Sequence, residues 1–384
     1  MRILAFSSIR SDYDLLSPLY KLLNSDPKID FRILVSGAHL SPYFGYAVKE
    51  IEKDGFKILA KIETLLASDS KISRVKSAGI LLQNSLEVIQ KFSPDLMLYA
   101  GDREDAVIYA IIAGYLEIPS IHFYGGDHVQ DSHIDNPVRH ATSKLSSVHF
   151  VSCEEHKRRL VAMGESEKRI FNTGSIALDN FKTFSLLTKN DIAKYFQISD
   201  LDDFALVIFH SFSPEFEISG LIFRNILESL EELNIRAFVS YPNVDNGNYK
   251  IIKEIEKMQQ KSNNFIFYKN LEREVFLSIY HHSQFIIGNS SSGICEAASI
   301  PIPAINVGLR QMGRMADKNV IFVNTDKQSI KKAIGQALDK DFLNSIANIK
   351  NSYGTGCSAR KAFSLIKTLN FKDFLAKNED PIKF

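Results

Sequence analysis

Short apolar runs that read as strands alternate with amphipathic segments that read as helices along most of this chain, and no other feature limits its fold so sharply. In the first half, strand-like runs start at Arg2, Phe31, Asp95, Pro119 and Val148. Helical spacing of apolar residues fills the gaps over Tyr13 to Asn24, Phe44 to Asp54, Lys76 to Phe92, Ala106 to Leu116 and Glu154 to Met163. After a polar stretch from Gly174 to Asp200, a second alternation begins. Its strands are Ala205 to His210, Ile235 to Tyr241, Asn264 to Tyr268, Phe285 to Ile287, Ala304 to Val307 and Val320 to Val323. Such alternation predicts βαβ units and parallel sheets, whose ligands sit beyond the carboxyl ends of the strands. The expected architecture is therefore α/β, two doubly wound Rossmann-type domains facing one another across a cleft. The expected boundaries are 1–180 and 181–365, with 366–384 closing back on the first domain as a helix.

Composition removes several classes of function. A formal net charge of +1 gives no field that would gather nucleic acid or an anionic membrane. The longest apolar runs are interrupted and too short to span a bilayer, and the first residues read as a strand, not a signal peptide. Three widely spaced cysteines, Cys153, Cys295 and Cys357, fit no zinc pattern and point to a reduced cytoplasmic setting. No G-x-G-x-x-G follows the first strand, which counts against a nicotinamide dinucleotide.

The polar residues at strand ends carry the chemistry. Ile287-Gly-Asn-Ser-Ser-Ser-Gly293 enters what reads as a helix, with Glu296 expected in its first turn. Backbone N–H groups and the hydroxyls of Ser290 and Ser291 there suit a phosphate, and Glu296 suits a ribose or sugar hydroxyl. The plain alternative is a serine turn that caps a helix. Arg310 and Arg314, in the glycine-containing loop that follows, add two cations and favour a diphosphate. After the first strand, Arg10 could fork a phosphate or pair with a surface acid. Asp102, in the turn Gly101-Asp102-Arg103, could serve as a base, orient a sugar hydroxyl or simply cap the next helix; Arg103 falls with the candidate binding residues. The densest polar stretch, His122 to His140, holds Asp127, Asp131, Asp135 and Arg139. Its carboxylates and arginine fit general acid–base work better than a metal cage, and no metal is expected. Asp135 and Arg139, four apart, could pair on one helix face. His210 and Asn243 end two strands of the second half.

Together these stretches resemble the hydrolysing UDP-N-acetylglucosamine 2-epimerases of sialic and legionaminic acid pathways, which share the two-domain GT-B fold. The matching segments are Arg10-Ser-Asp-Tyr, Gly101-Asp-Arg, Ile134-Asp-Asn-Pro-Val-Arg-His, Gly174-Ser-Ile-Ala-Leu-Asp, Tyr241-Pro-Asn and Gly288-Asn-Ser-Ser-Ser-Gly through Arg314, in family order. The resemblance implies that Ser290 and Ser291 bind a diphosphate, Glu296 a ribose, and Arg10 and Arg310 the UDP charges. Asp102, Asp135, Arg139, His210 and Asn243 would surround the sugar. The implied reaction is anti elimination of UDP from UDP-GlcNAc, then hydration of the 2-acetamidoglucal to free N-acetylmannosamine. The same chemistry on a UDP-2,4-diacetamido-2,4,6-trideoxyglucose, a GT-B glycosyl transfer, and silent UDP-sugar binding are the alternatives. The resemblance also implies a homodimer or homotetramer and no cofactor. One position departs from the family pattern: Tyr124 stands where relatives carry an acid before the Gly-Gly pair. Asp127, Asp131 or the Tyr124 phenol would then have to replace it.

Overall fold

The computed structural model describes residues 1–66, 71–129, 134–243, 247–269 and 271–380. It resolves into two compact units, the first holding Met1–His128 and the stretches up to Asn180 and from Tyr353, the second Phe181–Ser352. The second unit thus ends at Ser352 rather than at 365. The closing helix is Ser358–Thr368, and its Ala359, Ala362 and Ile366 are buried in the first unit's core.

The first unit is a seven-stranded parallel sheet: β1 (Arg2–Ser7), β2 (Asp30–Ser36), β3 (Ile58–Ile62), β4 (Leu96–Ala100), β5 (Ser120–Phe123), β6 (Val148–Val151) and β7 (Ile170–Asn172). Their order across the sheet is β3-β2-β1-β4-β5-β6-β7. The inner strands β4, β5 and β6 are buried almost throughout, as expected where helices cover both faces. Helix Arg10–Ser25 buries Tyr13, Leu16, Leu19, Tyr20 and Leu23, an i, i+3, i+4 stripe set against Ile3, Ala5, Ile33 and Val35. Each fully buried side chain of this kind contributes about 1.5–3 kcal/mol.

The second unit is a six-stranded parallel sheet: β8 (Phe204–Ile208), β9 (Arg236–Ser240), β10 (Phe265–Tyr268), β11 (Ile286–Gly288), β12 (Ala304–Val307) and β13 (Val320–Val323). Its order is β10-β9-β8-β11-β12-β13. Helix Ser219–Glu232 lays Ile222, Phe223, Ile226, Leu227 and Leu230 on it.

In both sheets the strand order reverses once, between β1 and β4 and between β8 and β11. Loops leave in opposite directions at such a switch point, opening a crevice beyond the strands' carboxyl ends. In the first unit Arg10 and Asp102 follow the two flanking strands; in the second, His210 and Ser290 do. No helix among the described residues is long and apolar enough to cross a membrane.

Candidate active site

In the first unit, Arg139 is the centre of the arrangement. Helix Asp135–Leu145 presents it on the inner face, where its side chain is 5% exposed. Its guanidinium donates to the Asp102 carboxylate and, through Nη1, to the Asp127 carbonyl at 3.1 Å. The Asp127 carboxylate lies 3.9 Å from Nη2. His156 Nε2 stands 3.3 Å from the other Asp127 oxygen. Arg139 therefore joins strand ends β4 and β5 through their carboxylates instead of serving as the expected helix-face partner of Asp135. Asp135 turns toward Arg74, at 3.9 Å, whose guanidinium is held by Glu104 at 2.6 Å. The turn carrying Asp102 is fixed by His122, whose Nε2 donates to the Gly101 carbonyl at 2.8 Å. Burial pushes the His122 imidazole down to about 3, so it is neutral and acts as a fixed donor.

Tyr124 adopts a left-handed backbone, φ 64°, and its ring packs against the first core. Its hydroxyl donates to the Leu15 carbonyl at 3.2 Å, which commits the phenol to the fold. Arg10 faces Glu50 at 3.4 Å and Asp14 at 3.8 Å, the acid pairing open to it from sequence. Asp131 lies outside the described residues.

Two carboxyls at this switch point were not singled out from sequence. Asp12 opens helix Arg10–Ser25 and Asp105 opens helix Glu104–Tyr115. Burial raises Asp12 to about 7, with Asp105 and Asp102 adding to the shift and Arg103 and the Ser8 backbone opposing it. Burial and the neighbouring Glu104 raise Asp105 to about 6 against Arg103. Arg103 is the nearby cation that opposes both shifts. A folded-state value above the ordinary 3.8 means that stability is greatest below that pH and falls as pH rises through 7. Asp12→Asn removes this dependence. The variant should equal the parent near pH 4 and exceed it at pH 8 by at most about 4 kcal/mol. Urea melts at the two pH values check this, and an equal gain at both refutes it.

In the second unit, Asn289 ties together the segments that sequence could only place separately. It is fully buried. Its Oδ1 accepts from the His210 N–H at 2.8 Å and its Nδ2 donates to the His210 carbonyl at 2.9 Å. Its own carbonyl accepts from Arg310 Nη1 at 3.0 Å and Gln311 Nε2 at 2.9 Å. Gln311 Oε1 in turn accepts from Arg314 Nη1 at 2.5 Å. The preceding Gly288, φ 143°, is obligatory, since a Cβ there would fall 2.0 Å from the Ile208 carbonyl oxygen. The Asn243 N–H donates to His210 Nδ1 at 3.1 Å. A backbone N–H can only donate, so Nδ1 accepts and the neutral ring carries its proton on Nε2. His210 is then a donor suited to an anionic oxygen.

The serine turn differs from expectation in one respect. Helix Ser291–Cys295 is a single turn, with Ser290 as N-cap accepting from the Ser292 N–H at 3.2 Å. Glu296 lies at the helix's end, not in its first turn, because five residues exhaust it. Its carboxylate accepts from Ser292 Oγ at 2.6 Å. One turn has little macrodipole, so any anion here would depend on hydroxyls and on the arginine loop. Among the described residues no group of three or more His, Cys, Asp or Glu could hold a metal.

Two parallel-sheet α/β domains with polar groups gathered at each switch point place the protein among the GT-B-like folds. A solved UDP-GlcNAc 2-epimerase from Neisseria meningitidis, bound to UDP-GlcNAc, superposes with a TM-score of 0.82 at 18% identity, covering 96% of this chain and all of that one. The family profile for UDP-N-acetylglucosamine 2-epimerase matches residues 21–367, and the chain belongs to that family. The hydrolysing UDP-N,N'-diacetylbacillosamine 2-epimerase of Legionella pneumophila is 33% identical over 96% of both chains. A UDP-N-acetylglucosamine 2-epimerase of Neisseria meningitidis is 30% identical over 88% of this chain and 87% of its own.

Proposed function

We propose that the chain is a hydrolysing UDP-sugar 2-epimerase, releasing UDP and the free C2-inverted sugar. The observation that carries this reading is the pair of carboxylates, Asp102 and Asp127, held on one buried arginine. Removing a weakly acidic C2 proton needs a positioned base, whereas transfer at C1 does not. Asp127 takes the place of the acid that relatives carry at position 124. Asp102, Asp135 and Arg139 then face the sugar, with Arg103 and Arg10 as further cations. His210, Arg310 and Arg314, with the hydroxyls of Ser290 and Ser291, stabilise the charge on the departing diphosphate. Glu296 takes the ribose and Asn243 orients His210. The diacetylbacillosamine nucleotide is the first substrate to test, since a 33% identical relative is named for it, and UDP-GlcNAc the second.

Incubation in D2O with each nucleotide sugar, read by phosphorus and proton NMR, tests the proposal. Free UDP with a deuterated, C2-inverted free sugar is expected. A C2-inverted sugar still linked to UDP, or UDP release with C2 configuration kept, would sink it. Self-association belongs to the same proposal. Helix Lys71–Phe92 carries a second apolar stripe, with Ile72 and Val75 65% and 73% exposed and Leu86 further along. That stripe is the face proposed to pair with a second copy. Val75→Glu should then convert a dimer to a monomer in light scattering, and a wild-type monomer refutes it.

A further inference from the structure

Glu215 is a buried carboxylate that the proposed reaction does not use. It follows His210 by five residues, in the turn Ser213–Ile218, and is 7% exposed. Both of its carboxylate oxygens lie 3.2 Å from the Leu309 N–H. Burial raises its carboxyl, and the hydrogen bond from Leu309 opposes that rise. Its fit is tight on the other side as well. Gly308 has φ +83°, and a Cβ there would stand 2.7 Å from both oxygens. Just beyond are Arg310 and Gln311, which close on the Asn289 carbonyl, and Arg314, which donates to Gln311.

A carboxylate buried near three donors meant for an anion opposes the binding charge, so it needs a local reason. The loop supplies one: the Leu309 N–H donates to the Glu215 carboxylate and, among the described residues, to no backbone carbonyl. We propose that Glu215 is a positioning residue for the anion-binding loop Gly308–Arg314, setting the height at which Arg310 and Gln311 meet Asn289. The inference rests on the reading of this loop as the diphosphate site. It also explains why His210 and Arg310 would act together: the turn that follows His210, Ser213–Ile218, carries the carboxylate that seats the arginine loop.

Calorimetric titration of the full chain with UDP tests it. Glu215→Ala should weaken UDP binding about tenfold, the loss expected for one charge-assisted hydrogen bond. Glu215→Gln keeps a carbonyl acceptor for Leu309 and should stay within about threefold of the parent. In the double variant with Arg310→Ala, Glu215→Ala should add less than about threefold, because it acts through Arg310. A merely structural role would leave the two losses multiplying. If Glu215→Ala does not fold, Gly308→Ala, which displaces the same carboxylate, carries the cycle. Multiplying losses, or parental binding by Glu215→Ala, overturn the inference while leaving the functional reading intact. Absence of UDP binding by the parent chain overturns both.

Discussion

Replacing Arg139 with methionine is expected to abolish turnover while leaving UDP binding within about threefold of the parent. The two effects separate because the groups assigned to the diphosphate belong to the second unit and Arg139 belongs to the first. The side chain is buried and fastens two carboxylates at the ends of β4 and β5. Without it, Asp102 and Asp127 repel one another and lose their common donor. The stability cost should be about 3 kcal/mol, at the low end for a broken buried ion pair. The low end applies because Asp102 is 31% exposed and keeps some water. Arg139→Lys restores the charge but not the fork that reaches Asp102 and the Asp127 carbonyl together. It should recover most of the stability and little of the rate. A lysine variant with parental turnover would show that charge alone matters and that the guanidinium fork does not.

The fold was largely legible because parallel strands buried on both faces read as unbroken apolar runs. The two strands that sequence missed are the edges of the first sheet. In β3 most residues are only partly buried and Lys61 interrupts the pattern, while β7 has three residues. Edge position removes the apolar signal on which the reading depends. The site was legible as motifs and illegible as a network. Arg139 could be seen to lie on a helix face with Asp135, but helical spacing says nothing about a carboxylate 37 residues away, and Asp102 is its partner. Asn289 lay inside the Gly-Asn-Ser motif, yet its work is to clasp the His210 backbone, a contact across 79 residues. Asp12 and Asp105 carried a signal that sequence reasoning passed over, since acids in first helical turns are common and become unusual only once burial is known. Glu296 shows the reverse: its expected first-turn position assumed a longer helix than five residues provide.

The largest stability effect is expected far from the proposed chemistry, at Arg169. Its side chain is 4% exposed and donates to the carbonyls of Ser147, Phe374 and Ala376 and to the Glu379 carboxylate. Three of these four acceptors belong to the last residues of the chain, so Arg169 straps that segment across the β6–β7 side of the first sheet. Lys377 makes the second tie, donating to Glu165 at 2.7 Å and to the Lys144 carbonyl at 2.8 Å. Burial would raise the Glu165 carboxyl, but hydrogen bonds from His149, Lys144 and Lys377 outweigh it and hold it at about 2. Arg169→Met should therefore cost the first unit about 3–5 kcal/mol, the loss typical when one partner of a buried ionic network is removed. Ending the chain at residue 375, which keeps the buried Phe371 and the Phe374 ring, should cost a similar amount, and combining the two should add little, because both remove the contacts of Arg169 with Ala376 and Glu379. The pH dependence has a definite sign. With Glu165 held below its ordinary value, the contribution of this tie is complete above about pH 4.5 and is lost as pH falls toward 2. The gap between the parent and the shortened chain should thus narrow in acid, the part held by hydrogen bonds to neutral carbonyls remaining. A shortened chain as stable as the parent at pH 7, or a gap as wide at pH 2 as at pH 7, would show that the strap is not held by these charges.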